Sequence, residues 1–186
     1  MTKTEIRRIA KAQRTLLSIE QTEAYSLKLL HHFSLLDFSS VKTIHIFLPI
    51  AEKKEPDTFL FIDWLQVHHP EIKIVVPKAD FETALMTNYV YLNRDGLEKN
   101  LYDILEPAKG EIHQGDIDLV LVPLLAFDQK GYRVGYGKGF YDRFLEGTAI
   151  KKIGLSFFDP VDRIADVHEH DVRLDCCITP DQVYVF

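Results

Sequence analysis

Four glycines, an arginine, a lysine and an aspartate lie close together in the run DLVLVPLLAFDQKGYRVGYGKGFYDRFL, Asp118 to Leu145. Its first part, Leu119 to Val122, is apolar and rich in valine, as a buried strand is. Pro123 ends that strand because proline has no amide proton for a ladder. Gly131, Gly135, Gly137 and Gly139 follow, and then Phe140 to Leu145 at helical spacing. A strand, a glycine loop and a helix start together present free backbone N–H groups to a phosphate. Glycine lets such a loop take positive φ and lets a ligand approach the backbone. Arg133 and Lys138 add positive charge, and Asp142, one turn into the helix, is placed to hold Mg²⁺ against phosphate oxygens. The pattern is not a Walker loop, because Lys138 is followed by Gly139 rather than Ser or Thr. Nor is it the dinucleotide fingerprint, because Gly135-x-Gly137-x-Gly139 lacks the two-residue gap.

Pro123, Phe127, Asp128, Gly131, Arg133, Gly135, Gly137, Gly139, Tyr141 and Asp142 together carry a more specific signal. This stretch resembles the signature of the 5-formyltetrahydrofolate cyclo-ligase family, also called methenyltetrahydrofolate synthetases, and the likeness extends over nearly the whole chain. The resemblance implies an enzyme that uses ATP and Mg²⁺ to close 5-formyltetrahydrofolate into 5,10-methenyltetrahydrofolate, releasing ADP and phosphate. It places Lys138, Arg133 and Tyr141 at the chemistry. ATP is expected on Lys3, Arg7, Arg133, Val134, Gly135, Tyr136, Gly137, Lys138, Gly139, Phe140 and Tyr141. For the folate the resemblance implies Leu48, Glu55, Tyr102, Tyr136, Gly137, Lys138, Gly139 and Phe140, with Phe81 and Met86 near by. Glu52 is the rival to Glu55 if the loop takes another register. Asp142 and Asp171 are the implied Mg²⁺ carboxylates, Asp171 opening the match Asp171-Val172-Arg173-Leu174-Asp175. Two positions depart from the pattern: Tyr136 stands where many relatives have Arg, and Phe140 where Tyr is common.

These residues must be positioned by the rest of the chain. Lys3 to Leu17 reads as a helix with a basic stripe, Lys3, Arg7, Lys11 and Arg14, which by itself is most simply a solvated face. Ser18 and Gln21 form a capping-box pattern before a second helix through about Phe33. Val41 to Leu48 reads as a strand, and Thr58 as the N-cap of a helix from Phe59 to His68. Ile72 to Val76 is a short strand ended by Pro77, Lys78 to Asn88 a loop, and Tyr89 to Leu92 an edge strand. Lys151 to Leu155, Leu174 to Ile178 and Val183 to Phe186 complete the strands. Strands alternating with helices predict one three-layer α/β/α domain over residues 1–186, with a mainly parallel sheet.

Composition narrows the function classes. A net charge of -6 argues against nucleic acid as a partner, which wants a basic surface. No apolar run approaches a membrane span, and the charged N-terminus is unlike a secretory signal. Cys176 and Cys177 are adjacent in a strand, point to opposite faces and are unsuited to a disulfide, as in a cytoplasmic protein. His168-Glu169-His170 invites zinc, but no further Cys or His pair has ligand spacing. The expected partners are the small molecules that the resemblance implies, ATP and 5-formyltetrahydrofolate, and a monomer is the expected state. Two other classes stay open at this point: a non-enzymatic folate- or nucleotide-binding module, and a sugar-phosphate isomerase-like enzyme of similar architecture. ADP release separates the first from the ligase, and independence of ATP separates the second.

Overall fold

The computed structural model describes residues 1–186. In chain order the elements are α1 (Lys3–Leu16), α2 (Ile19–Ser34), β1 (Thr43–Ile46), α3 (Phe59–His68), β2 (Lys73–Asp80) and β3 (Leu85–Val90). Then come β4 (Leu97–Lys99), β5 (Leu105–Pro107), β6 (Leu119–Pro123), β7 (Ala126–Phe127), β8 (Arg133–Val134), α4 (Phe140–Leu145), β9 (Lys151–Leu155), β10 (Cys176–Ile178) and β11 (Val183–Val185). Seven strands form the central sheet in the order β11-β10-β9-β6-β1-β2-β3. Its five inner strands run parallel, and antiparallel β3 and β11 close the two edges.

The expected three-layer α/β/α arrangement is present, with unequal layers. One face is covered by α2 and α3, which bury Leu29, Phe33, Phe61, Ile62 and Leu65 against Ile44, Ile46, Leu119, Leu121 and Ile153. The opposite face meets only the short α4 and irregular chain, with Leu145, Phe127 and Leu174 over Val120, Val122 and Cys177. Both faces are therefore apolar along β6, which explains its continuous hydrophobic run, whereas β1 alternates, with Ile44 and Ile46 in the main core and His45 turned to the other face. Cys176 and Cys177 fall in these two different cores, and both are free and buried. Gly154 is required by packing: a Cβ there would lie 2.7 Å from the side chains of Leu124 and Leu174. Helix α1 does not cover the sheet but packs on the β7–β8 hairpin through Ile6 and Ala10.

Local signals held at α2, where Ser18 and Gln21 make both bonds of the capping box. They failed at Pro77 and held only in part at Thr58. Pro77 does not end its strand: β2 continues to Asp80 and pairs with β3, so Lys78 to Asn88 is the heart of a hairpin rather than a loop. Pro77 lies beyond the residues that pair with β1, so no neighbour on that side asks it for a donor. Thr58 holds the N-cap position of α3, whose bounds are those expected, but its backbone is itself helical (φ -74°, ψ -10°) and its side chain caps no amide; its buried hydroxyl donates to the Phe47 carbonyl at 2.6 Å. The Asp57 carboxylate accepts from the Phe59 amide instead.

Candidate active site

Strand β1 has β2 on one side and β6 on the other, so the chain reverses its direction of winding between β1 and β6. The crevice beyond the carboxyl ends of such a pair is where open α/β sheets collect ligands. One wall is the segment after β1, a 3₁₀ turn over Ala51–Lys53 followed by Glu55. The other is the glycine loop after the β7–β8 hairpin.

Gly137 and Gly139 have φ of 92° and 71°, a region in which a side chain is strained. A Cβ on Gly137 would also sit 3.3 Å from the Arg7 guanidinium. Arg7 donates from Nε to the Gly135 carbonyl at 2.9 Å, so α1 buttresses the loop. No side chain caps α4, whose N-cap is Gly139, and its first amides stay available to an anion. Lys138 is exposed on this loop. Val134 enters the site through its backbone only, since its side chain is buried with Ile6 and Ala10.

Two of the expected phosphate cations are engaged within the protein. Lys3 Nζ contacts both oxygens of Asp171, at 2.6 and 2.5 Å. Arg133 does not face the open loop: its buried fork donates to Asp142 Oδ1 at 2.8 Å and to the Val172 carbonyl. A guanidinium taken out of water must be paired and hydrogen-bonded, and Asp142 meets that need. The Val172 amide donates to the same Oδ1, which brings Asp142 and Asp171 to one corner. Asp171 also accepts from the His168 amide, and its carboxyl is held below the usual carboxylate range by that bond and by Lys3, against the opposing effect of burial. Nowhere do three His, Cys, Asp or Glu residues converge on one point. Such a donor set does not suit zinc. It does fit Mg²⁺, which needs only one or two carboxylates when phosphate oxygens and water complete its shell. Asp142 keeps Oδ2 without a protein partner for that purpose.

Glu55 and Glu52 are separated by the fold. Glu55 is 5% exposed and faces the glycine loop, where Oε1 accepts from the Tyr136 hydroxyl at 2.6 Å. Glu52 is exposed and pairs with Lys99 at 2.7 Å. Leu48 is buried in the main core. Phe81, Tyr102 and Phe140 form an aromatic patch, with ring centroids 4.2 Å apart for Phe81–Tyr102 and 5.2 Å for Phe81–Phe140. Tyr102 is 59% exposed there, free to stack on a ligand. The hairpin that carries Phe81 is the segment the sequence presents as a loop.

Two residues of this neighbourhood were not singled out by sequence. Arg14 is buried beside Tyr136. Its signal was present, since Ile6, Ala10 and Arg14 recur at four residues and share one face of α1. His45, in the middle of β1, is enclosed between Asn88 and Tyr141. Its Nδ1–H donates to Asn88 Oδ1 at 2.8 Å, and its Nε2 accepts from the Tyr141 hydroxyl at 3.0 Å. Burial lowers the His45 pKa to about 4 and raises that of Tyr141. The folded state therefore favours neutral His45. The resulting stability is present above the unfolded value of 6.5 and is lost as pH falls from there to about 4. The full loss is about 3 kcal/mol at 1.36 kcal/mol per unit. Thermal melts at neutral pH and at pH near 5 should show His45→Gln losing less stability on acidification than the wild type; equal losses would remove His45 from this role.

Comparison with known proteins gives the family and the fold. The model of the 5-formyltetrahydrofolate cyclo-ligase family matches residues 1–180. A 5-formyltetrahydrofolate cyclo-ligase of Mycoplasma pneumoniae is 32% identical over 76% of this chain and 74% of its own. The enzyme of that name from Haemophilus influenzae is 26% identical over 83% of each chain. The NMR structure of Aquifex aeolicus 5,10-methenyltetrahydrofolate synthetase superposes with a TM-score of 0.82 at 31% identity, covering 100% of this chain and 93% of that one. With its crevice at the β1/β6 reversal and its match along almost the full length, the chain is an enzyme that belongs to the 5-formyltetrahydrofolate cyclo-ligase family.

Proposed function

We propose that this protein closes 5-formyltetrahydrofolate to 5,10-methenyltetrahydrofolate, with Mg²⁺ as cofactor, ATP consumed, and ADP and phosphate released. The observation that carries this reading is the pairing of two unlike walls across one crevice. A glycine loop with exposed Lys138 and Arg7 behind it suits phosphates. Opposite it, buried Glu55 and the aromatic patch suit a flat, hydrogen-bonding ring system.

The chemistry follows from the substrate. A formamide oxygen is a poor leaving group, and transfer of the terminal phosphoryl group of ATP to it makes it a good one. The N10 amine then attacks the activated carbon and gives up its proton to water, and phosphate departs with the former formyl oxygen as the ring closes. The protein need supply no covalent nucleophile, since positioning and charge neutralisation dominate phosphoryl transfer. Lys138, Arg7, the loop amides and the first amides of α4 would hold the phosphates. Arg133 and Lys3 would act one step back, by fixing Asp142 and Asp171. Mg²⁺ bound at Asp142 would draw charge from the phosphate oxygens. Tyr141 has its hydroxyl turned inward to buried His45, so it would meet substrate only through its ring. Tyr136 would serve the nucleotide through its backbone, its side chain being turned to Glu55. Tyr102, Phe81 and Phe140 would stack on the folate.

This reading includes one 186-residue domain acting as a monomer in the cytoplasm. No helix is long and apolar enough to cross a membrane. Purified protein should raise the near-ultraviolet absorbance of the methenyl product only when formyl folate, ATP and Mg²⁺ are all present. EDTA should return the rate to background without shifting the thermal melt. Folate binding without ADP release would leave a binding module instead.

A further inference from the structure

Arg14 is a buried cation without an anion beside it. It is 3% exposed, Nη1 donates to the Tyr136 hydroxyl at 3.1 Å, and Nη2 donates to the Leu124 carbonyl. Its Nε is the one buried side-chain polar atom in the molecule with no hydrogen-bond partner. Glu55 is the reciprocal case, a buried carboxylate with no cation in contact. Its Oε1 accepts from the Tyr136 hydroxyl at 2.6 Å and its Oε2 from the Ile50 amide at 2.8 Å. Each isolated charge would be unfavourable in this setting. The phenol between them gives each of the two a hydrogen-bond partner.

The direction of that chain of bonds is set by chemistry. A guanidinium only donates, so the Tyr136 oxygen accepts from Arg14 and its single proton must point to Glu55. Burial and the Glu55 charge raise the phenol's pKa, so it keeps that proton. The ring is held as well, with Lys53 Nζ 4.5 Å and Lys11 Nζ 5.8 Å from its centroid. A direct Arg–Glu fork would occupy the carboxylate on both oxygens. With the phenol on Oε1 and the Ile50 amide on Oε2, each Glu55 oxygen keeps a second acceptor position, a pair that matches a ligand offering two N–H groups. Arg14 is anchored to the end of β6, Tyr136 belongs to the glycine loop and Glu55 follows β1, so one chain of bonds spans the crevice.

We propose that Arg14 is a positioning residue for the folate, acting through Tyr136 on Glu55, although it sits on the helix whose Lys3 and Arg7 serve the nucleotide side. The inference rests on the reading that Glu55 meets the folate. Steady-state kinetics of Arg14→Met, Arg14→Lys, Tyr136→Phe, Glu55→Gln and the double variant Arg14→Met/Tyr136→Phe test it. Arg14→Met should raise KM for formyl folate about tenfold, with kcat and the KM for ATP within about twofold. Tyr136→Phe should raise the folate KM by a similar factor, and in that KM the double variant should be no worse than the worse single, because both break one chain of bonds. Arg14→Lys keeps the charge but not the fork and should fall between wild type and Arg14→Met, melting close to wild type; it carries the test if Arg14→Met does not fold. A folate KM unchanged in Arg14→Met or Arg14→Lys, losses that multiply in the double variant, or a rise confined to the ATP KM would overturn the proposal. Glu55→Gln separates the two ideas. If it leaves the folate KM unchanged, the Glu55 reading itself fails and Arg14 falls with it. Should Glu55→Gln raise that KM while Arg14→Met does not, only the role of Arg14 is lost.

Discussion

Lys138→Ala is expected to lower kcat by about 10²–10³-fold, the range seen when one preorganised charge on a transition state is removed. Its melting temperature should stay within about 1 °C of wild type, because exposed substitutions away from packing are close to neutral. The structure supports this split. Lys138 is exposed on the loop, and only its backbone carbonyl is used by the fold, accepting from Arg143 at 2.9 Å. Asp142 is a less clean probe. Its Oδ1 holds both buried Arg133 and the Val172 amide, so Asp142→Ala would strand a guanidinium and melt earlier. Asp142→Asn keeps an acceptor for those donors and removes the charge a metal needs. Rapid-quench measurement of ADP formation, alongside thermal melts, checks both variants. Full activity in Lys138→Ala would remove the glycine loop from the phosphate-binding role.

The second large effect is expected at Glu55. Glu55→Gln should weaken formyl folate binding by about 10- to 100-fold, since hydrogen bonds to a charged group contribute about 1.5–3 kcal/mol. The amide would offer one acceptor where the carboxylate has two, and its NH₂ would oppose a donating ligand or the Tyr136 proton. Glu52→Gln is the matched control, one turn away and on the surface. Its pair with Lys99 is solvated on both sides, so folate affinity should not change. Calorimetry with formyl folate alone distinguishes the two. Equal losses in both variants, or a loss at Glu52 only, would reassign the folate wall of the crevice.

Legibility differed from place to place for physical reasons. The capping box of α2 and the strand Leu119 to Val122 depend on residues a few positions apart, and both were readable. Pro77 was misread because a proline's missing donor matters only where a neighbouring strand asks for it, and β1 stops short of that position. Thr58 stands at the N-cap as its type suggests but makes no side-chain cap, because its backbone is already helical and its hydroxyl is turned to the Phe47 carbonyl. Arg14 carried a visible signal in its four-residue spacing from Ile6 and Ala10, but a basic stripe is usually solvated and the burial of one member depends on what α1 lies against. The Glu52 and Glu55 ambiguity was irreducible in one dimension, because one turn of a loop moves either carboxylate inward.

What the amino-acid order determined by itself was the class of chemistry. Glycines at 131, 135, 137 and 139 with Arg133, Lys138 and Asp142 form a local pattern, and local patterns survive without knowledge of the fold. What only the tertiary structure decided was which charges remain open to a ligand. Arg133 meets the Val172 carbonyl 39 residues away, Lys3 meets Asp171 across 168, and Glu55 meets Tyr136 across 81. Pairings over such separations follow from strand order and burial, because a charge removed from water takes the partner that packing brings to it.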